Sequence, residues 1–249
     1  MKTPPILSTA PLSGNLHSQL VRLLARRIVG GEYRPGESLP PEDELRDQFN
    51  VSRNALREAV KVLSSKKLLS VKTKTGTKVE PFENWSHTDP DVIAWRASYV
   101  GDVRFFREIN EVRRFLEPAA AEYAADRATK AEKQEMRECY EEMLQFDPKK
   151  MDELTEEEHR EFVRIDMRFH DSIFVGARNT IIQHMANALS SALYASRFVT
   201  HRVQGADADS IPLHGKVLDA IEAGDPEAAR KRMRELMDVN ERNINAVLG

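Results

Sequence analysis

The stretch Phe49-Asn50-Val51-Ser52-Arg53-Asn54-Ala55-Leu56-Arg57-Glu58-Ala59-Val60-Lys61-Val62-Leu63 decides how the N-terminal part of this chain folds. It reads as a short turn followed by a helix. Ser52 is a good N-cap, because its hydroxyl can accept a first-turn backbone N–H that has no partner inside the helix. Ala55, Leu56, Ala59, Val60 and Leu63 recur at helical spacing and form one apolar face. Arg53, Asn54 and Arg57 fall off that face and crowd the start of the helix. Arg pairs with guanine O6 and N7, and Asn with adenine N6 and N7, so this end suits the major groove of DNA. Taken alone, the same pattern also describes an amphipathic helix with solvated charges.

The flanking segments favour the DNA reading. Leu16, Leu20, Leu23, Leu24 and Ile28 mark a helix that stops at Gly30-Gly31. Tyr33-Arg34-Pro35-Gly36 is a turn. Pro40-Pro41-Glu42-Asp43-Glu44 opens a second, short helix, with Pro and acidic residues where the helix dipole favours them. Two helices separated by a tight turn make a helix-turn-helix. Beyond Lys66-Lys67, residues 68–79 alternate β-compatible and basic residues around Gly76 and read as a two-stranded hairpin. Lys72, Lys74 and Lys78 line its tip and sides. A helix-turn-helix followed by a basic hairpin is a winged helix, whose wing can meet phosphates or enter a minor groove. The expected DNA-binding residues are Ser52, Arg53, Asn54, Arg57, Lys72, Lys74 and Gly76.

The chain of 249 residues can hold one large domain or two of ordinary size. Its 41% apolar and 31% charged residues describe a soluble globular protein with charged helix faces. No apolar run approaches the ~20 residues of a membrane span, and the N-terminus has no secretory h-region. Cys139 stands alone, which excludes an internal disulfide; together these points predict a cytoplasmic protein with no membrane partner. The net charge of −3 is unevenly spread. Residues 14–82 carry 13 Lys and Arg against 8 Asp and Glu, whereas residues 83–249 carry 23 against 32. This asymmetry places polyanion binding in the N-terminal part. The expected divisions are a flexible tail over 1–13, a winged helix-turn-helix over 14–82, a linker over 83–98 and an all-helical domain over 99–249. Trp85 and Trp95 in the linker are expected to pack against a neighbouring domain.

From Tyr99 onward only helix signals occur, over 102–127, 130–146, 152–176, 178–203, 209–223 and 226–247. The fold class is therefore mostly α, a small β-hairpin wing apart, ending in a bundle of six to seven helices. Asp225-Pro226 is a clear helix start, and Pro118 is expected to kink the first helix of the bundle. Polar residues inside apolar stripes carry the chemistry. Arg113 lies in the stripe of Phe105, Ile109, Val112, Leu116, Ala120 and Tyr123, while Arg114 points elsewhere. A buried guanidinium needs an anion, either from the protein or from a ligand carboxylate. Asp166 and His170 sit four apart beside Phe162, Ile165, Phe169 and Ile173, so their side chains share a face. His214 sits beside Val217, Leu218 and Ile221. One Asp and two His in an apolar bundle suit Zn, Mn, Ni or Fe, although a plain Asp–His hydrogen bond also explains the spacing. His17, His87, His159, His184 and His201 read as surface or linker residues.

The order of Gly31-Glu32-Tyr33-Arg34-Pro35-Gly36, Leu39-Pro40, Glu44-Leu45, Val51-Ser52-Arg53, Leu56-Arg57-Glu58-Ala59 and Gly76-Thr77 resembles the GntR family of bacterial transcription regulators. The resemblance implies that Arg53 and Arg57 make base and phosphate contacts. Asp43 stands where the family usually has Arg, and Lys74 where the wing often has Gly, which bears on operator preference. Residues 83–98 resemble the linker of family members that respond to sugar acids such as galactonate. Glu111 to Ala120, Asp166-x-x-x-His170, His214, Ala220-Ile221 and Gly224-Asp225 resemble the FCD ligand-binding domain of the FadR-type branch. That resemblance implies a divalent metal held by Asp166, His170 and His214, with Leu236 where a fourth ligand, a His, would fall. It also implies a small carboxylate effector, with Arg113 and Asn240 as effector-binding residues.

These readings predict a ligand-responsive transcription regulator that binds a palindromic operator as a homodimer, since matched half-sites mirror protein symmetry. The resemblance implies a repressor released by a small organic acid. Two alternatives are a metal-responsive regulator and, since two His and one carboxylate also serve non-haem iron oxygenases, a metalloenzyme. No further acid, base or nucleophile constellation resembles an active site, so no catalytic residues are expected.

Overall fold

The computed structural model describes residues 16–72, 76–99, 102–147, 150–200 and 206–248. The chain divides into two compact units, Met1–Asp102 and Val103–Gly249.

The first unit is built on three helices and a hairpin. α1 (Leu16–Val29) buries Leu20, Val21, Leu24, Ala25 and Ile28. It stops at Gly31, whose φ of +75° falls where a side chain would be strained. α2 (Glu42–Phe49) has Glu42, Asp43 and Glu44 in its first turn. Asn50, left-handed at φ 50°, turns the chain into α3 (Arg53–Ser65). Leu56, Ala59 and Leu63 of α3 are buried, as the periodicity requires. β1 (Leu69–Lys72) pairs antiparallel with β2 (Gly76–Val79), with Leu69 opposite Val79 and Lys72 opposite Gly76. Leu69 and Val79 anchor the hairpin base in the core, and Val71 further along is exposed.

Residues 83–98, read as a linker, are folded onto this unit. A turn of 3-10 helix at Phe82–Asn84 leads to α4 (Pro90–Ala97), which Asp89 caps by accepting from the Asp91 N–H at 2.9 Å. Trp85, Val92 and Trp95 join the same core as Leu24, Leu56 and Leu63. Lys66, at the end of α3, lies 2.9 Å from Asp89 and 2.8 Å from Asp91. The proline and polar residues that resemble a linker thus cap and pin a helix.

The second unit, among the described residues, is a bundle of six α-helices: α5 (Val103–Arg127), α6 (Lys130–Met143), α7 (Glu156–Gly176), α8 (Thr180–Thr200), α9 (Ala206–Ala223) and α10 (Pro226–Leu248). Thr129 with Glu132 and Thr155 with Glu158 form capping boxes at the starts of α6 and α7. Asp225 accepts the Ala228 N–H at 2.9 Å, the cap expected before Pro226. α5 runs through Pro118 as one helix and packs against α7, α8, α9 and α10. α9 approaches α6 closely at Gly215, where a Cβ would stand 2.4 Å from the Tyr140 hydroxyl. That close contact sets the position of His214, the residue before it. Among the described residues no helix is long and apolar enough to cross a membrane.

Leu63 is fully buried between the helices of the first unit. Leu63→Ala should lower stability by about 2–5 kcal/mol through lost burial and the cavity left behind. Denaturant unfolding followed by circular dichroism checks this.

Candidate functional site

Two sites emerge, one in each unit. In the first, Ser52 caps α3 by accepting the Ala55 N–H at 3.2 Å. The first turns of α3 then present Arg53, Asn54 and Arg57 exposed on one end of the helix. Glu42, at the start of α2, accepts from Arg53 Nε at 2.5 Å and lies 3.4 Å from Arg57 Nε. The hydrogen bond from Arg53, with Arg57 beside it, holds the Glu42 carboxyl below its usual range. One carboxylate from the neighbouring helix therefore aligns both arginines. Asp43 pairs with Arg46 at 2.9 Å instead. Lys72 is exposed on β1 opposite Gly76, whose φ is +75°, and Lys78 is half-buried on β2. Lys74 lies outside the described residues.

In the second unit the polar residues of four helices converge in the interior. Arg113 and Glu117 come from α5, Asp166 and His170 from α7, Arg197 from α8 and His214 from α9; all are buried. Arg113 Nε donates to Glu117 Oε1 at 2.8 Å, and Arg197 Nη2 donates to the same oxygen at 3.2 Å. The other Glu117 oxygen lies 2.7 Å from His170 Nδ1. Arg197 Nε lies 2.5 Å from Asp166 Oδ2. Burial opposes the charge on Glu117, but Arg113, His170 and Arg197 outweigh it and hold the carboxyl well below the usual carboxylate range. Burial pushes the His170 imidazole down to about 4, so the ring is neutral near neutral pH.

The tautomers follow from these contacts. An ionised carboxylate only accepts, so His170 carries its proton on Nδ1, facing Glu117. His214 Nδ1 lies 2.8 Å from the Ser210 carbonyl oxygen, which also only accepts. Both Nε2 atoms therefore present lone pairs, and they face each other at 3.2 Å. Asp166 Oδ1 lies 3.0 Å from His214 Nε2 and 3.7 Å from His170 Nε2. Three ligands about 2.1 Å from one tetrahedral ion lie about 3.4 Å from each other. The triangle Asp166, His170 and His214 thus fits a divalent metal, and acceptors this close repel one another unless a cation or proton lies between them. Glu117 and the Ser210 carbonyl are the outer partners that fix ring orientation in such sites. Leu236 is buried and has no donor atom, so among the described residues the candidate ligands are Asp166, His170 and His214.

Arg113 is buried with Glu117, as its stripe predicted, while Arg114 is half-exposed and pairs with Asp238 and Glu241. Arg113 Nη1 and Nη2 have no hydrogen-bond partner. Asn240 is buried on α10. Glu117 and Arg197 were missed in the sequence. Arg197 follows Leu189 and Leu193 at four-residue steps, the same signal of a charge in an apolar stripe that singled out Arg113. His159, read as a surface residue, is buried and contacts the Phe198 carbonyl at 3.2 Å and the Phe198 ring. His201 lies outside the described residues.

A winged helix paired with a helical domain holding a buried anion- and metal-compatible cluster is the layout of a ligand-responsive DNA-binding regulator. Residues 16–79 match the family of bacterial regulatory proteins known as gntR, and residues 108–239 match the FCD domain. The chain belongs to the GntR family of bacterial regulators, in the group that carries an FCD domain. It is 30% identical to the galactonate operon transcriptional repressor of Escherichia coli K12, over 94% of this chain and 98% of that one. It is also 30% identical to the putative L-lactate dehydrogenase operon regulatory protein of the same strain, over 80% of this chain and 74% of that one. Among solved structures, Lar, which controls the agr system of Listeria monocytogenes, superposes with a TM-score of 0.62 over 94% of this chain and 98% of that one. At 18% identity that likeness shows the fold. Members of the family are transcription regulators, which sets the metalloenzyme alternative aside.

Removing Arg197 strips Asp166 of a buried partner, so Arg197→Ala should destabilise the protein by about 3–5 kcal/mol. Arg114→Ala, at a half-exposed pair, should cost no more than about 1 kcal/mol in the same unfolding assay. Glu42→Gln should lower the ratio of operator to random-DNA affinity and steepen the salt dependence, because two arginines lose their guide and one negative charge disappears. Gel-shift titrations at two salt concentrations check this, and an unchanged ratio would remove Glu42 from the reading machinery.

Proposed function

We propose that this chain is a cytoplasmic, one-component transcription regulator. It binds a palindromic operator as a homodimer through Arg53, Asn54, Arg57 and the wing, and represses an operon for the breakdown of a sugar acid or another small organic acid. The observation that carries the effector reading is the buried Arg113, whose two free Nη groups are set for a carboxylate, beside the Asp166–His170–His214 triangle. The names of the two relatives, one tied to galactonate and one to L-lactate dehydrogenase, support a small acid as the signal.

A divalent Zn, Mn or Ni ion on Asp166, His170 and His214 would supply positive charge for further oxygens of the acid. Arg113 would take the carboxylate, and Asn240 an adjacent polar group. The acid must bind unequally to the states that do and do not bind operator, because equal affinity would shift nothing. A metal-responsive regulator is the second reading, favoured by the three candidate ligand atoms lying within 4.8 Å of one another. It requires operator affinity to change on addition of Zn2+ alone.

His170→Ala should abolish release from operator by acid while leaving operator binding intact, and should lower bound metal measured by elemental mass spectrometry. Normal acid response in this variant would sink the metal-site proposal.

A further inference from the structure

Asp166 divides its carboxylate between two demands. Oδ1 lies 3.0 Å from His214 Nε2 and 3.7 Å from His170 Nε2, so it belongs to the triangle of candidate ligands. Oδ2 lies 2.5 Å from Arg197 Nε. Arg197 also donates through Nη2 to Glu117 at 3.2 Å, and its side chain is fully buried on α8. A guanidinium keeps its charge at neutral pH. A fixed cation therefore stands one carboxylate away from the place a divalent cation would take. Away from water, like charges at that separation repel far more strongly than they do in solvent.

Arg197 acts on a metal in two opposed ways. As an outer partner it steadies the Asp166 carboxylate, and losing a partner of that kind typically costs about ten- to a hundredfold in metal affinity. As a cation it draws charge from the same carboxylate and repels the ion. Which effect wins depends on how Asp166 is otherwise held. Asp166 is buried in the middle of α7, between the core residues Ile165 and Phe169, so packing already fixes its place. Steadying then adds little, and the charge remains. Without Arg197 the buried Asp166 loses a counter-ion, and a divalent ion would neutralise it in turn. Leu236 adds no donor to offset the repulsion.

We propose that Arg197 lowers the metal affinity of the Asp166–His170–His214 triangle by competing with the ion for Asp166, and so makes the ion exchangeable rather than permanently held. The proposal rests on the metal reading of the triangle and adds to it a residue on a fourth element, α8, that sets how tightly the ion is bound. Occupancy of such a site follows the free metal concentration.

The test is calorimetric titration of Zn2+ into the full chain after dialysis against a chelator. Arg197→Gln should bind Zn2+ about tenfold or more tightly than the parent, because a cation is removed and a buried carboxylate is left to be neutralised. Its unfolding temperature without metal should fall, and Zn2+ should raise that temperature further than it raises the parent's. If Arg197→Gln folds only with Zn2+ present, competition against a chelator of known affinity reads the same constant. Arg114→Gln removes an equal charge at a half-exposed pair with Asp238 and Glu241, and should bind Zn2+ as the parent does. Equal or weaker Zn2+ binding in Arg197→Gln makes Arg197 a steadying partner, and an equal gain in Arg114→Gln assigns the effect to net charge. Either result overturns the inference and spares the metal site. Zn2+ binding absent from both the parent and Arg197→Gln, or unchanged by His170→Ala, overturns the metal reading and the inference with it.

Discussion

The Glu117 carboxylate is the point on which the effector domain depends. It receives Arg113 and Arg197 on one oxygen and meets His170 on the other, all away from water. Buried ions are costly to desolvate, and they persist here because two guanidiniums face two carboxylates, Glu117 and Asp166. The same contacts carry information. Glu117 puts the proton of His170 on Nδ1, so Nε2 turns its lone pair toward His214 and Asp166. Arg197 occupies one oxygen of Asp166 and leaves the other facing the imidazoles. A neutral, charge-balanced interior thereby keeps three ligand atoms together and one guanidinium edge free.

Balance of this kind has a consequence for ligand binding. A divalent cation entering a neutral cluster in a medium of low dielectric brings charge that favours an anion nearby. Arg113 and the Asp–His–His triangle are joined through Glu117, so both are tied to the same four helices.

The DNA-binding unit uses the same device at its surface. Glu42 sits on one helix and sets two arginines on the next. Such exposed pairs add little to stability. They hold two flexible guanidiniums on one edge of α3.

The wing, α3 and the helices of the bundle were legible because each rests on local spacing: Ser52 before an amphipathic run, Lys residues alternating around Gly76, Asp225 before Pro226. Residues 83–98 misled because proline and polar residues mark a cap as readily as a linker, and only the burial of Trp85 and Trp95 distinguishes the two. Asp166 and His170 could be paired from sequence because four residues return a helix to the same face. His214 was found by its apolar setting alone. Glu117, Arg197 and the buried His159 were not found, since their partners lie on other helices.

By itself, the sequence determined the mostly helical class, the winged helix with its Ser52 cap and exposed arginines, and the presence of charges within apolar stripes. Those properties follow from periodicity, which acts over a few residues. Tertiary structure alone decided that Arg197 neutralises Asp166, that Glu117 meets His170, and that Arg113 is buried with Glu117. These depend on how α5, α7, α8 and α9 come together, and distance in space between helices is not written in spacing along any one of them.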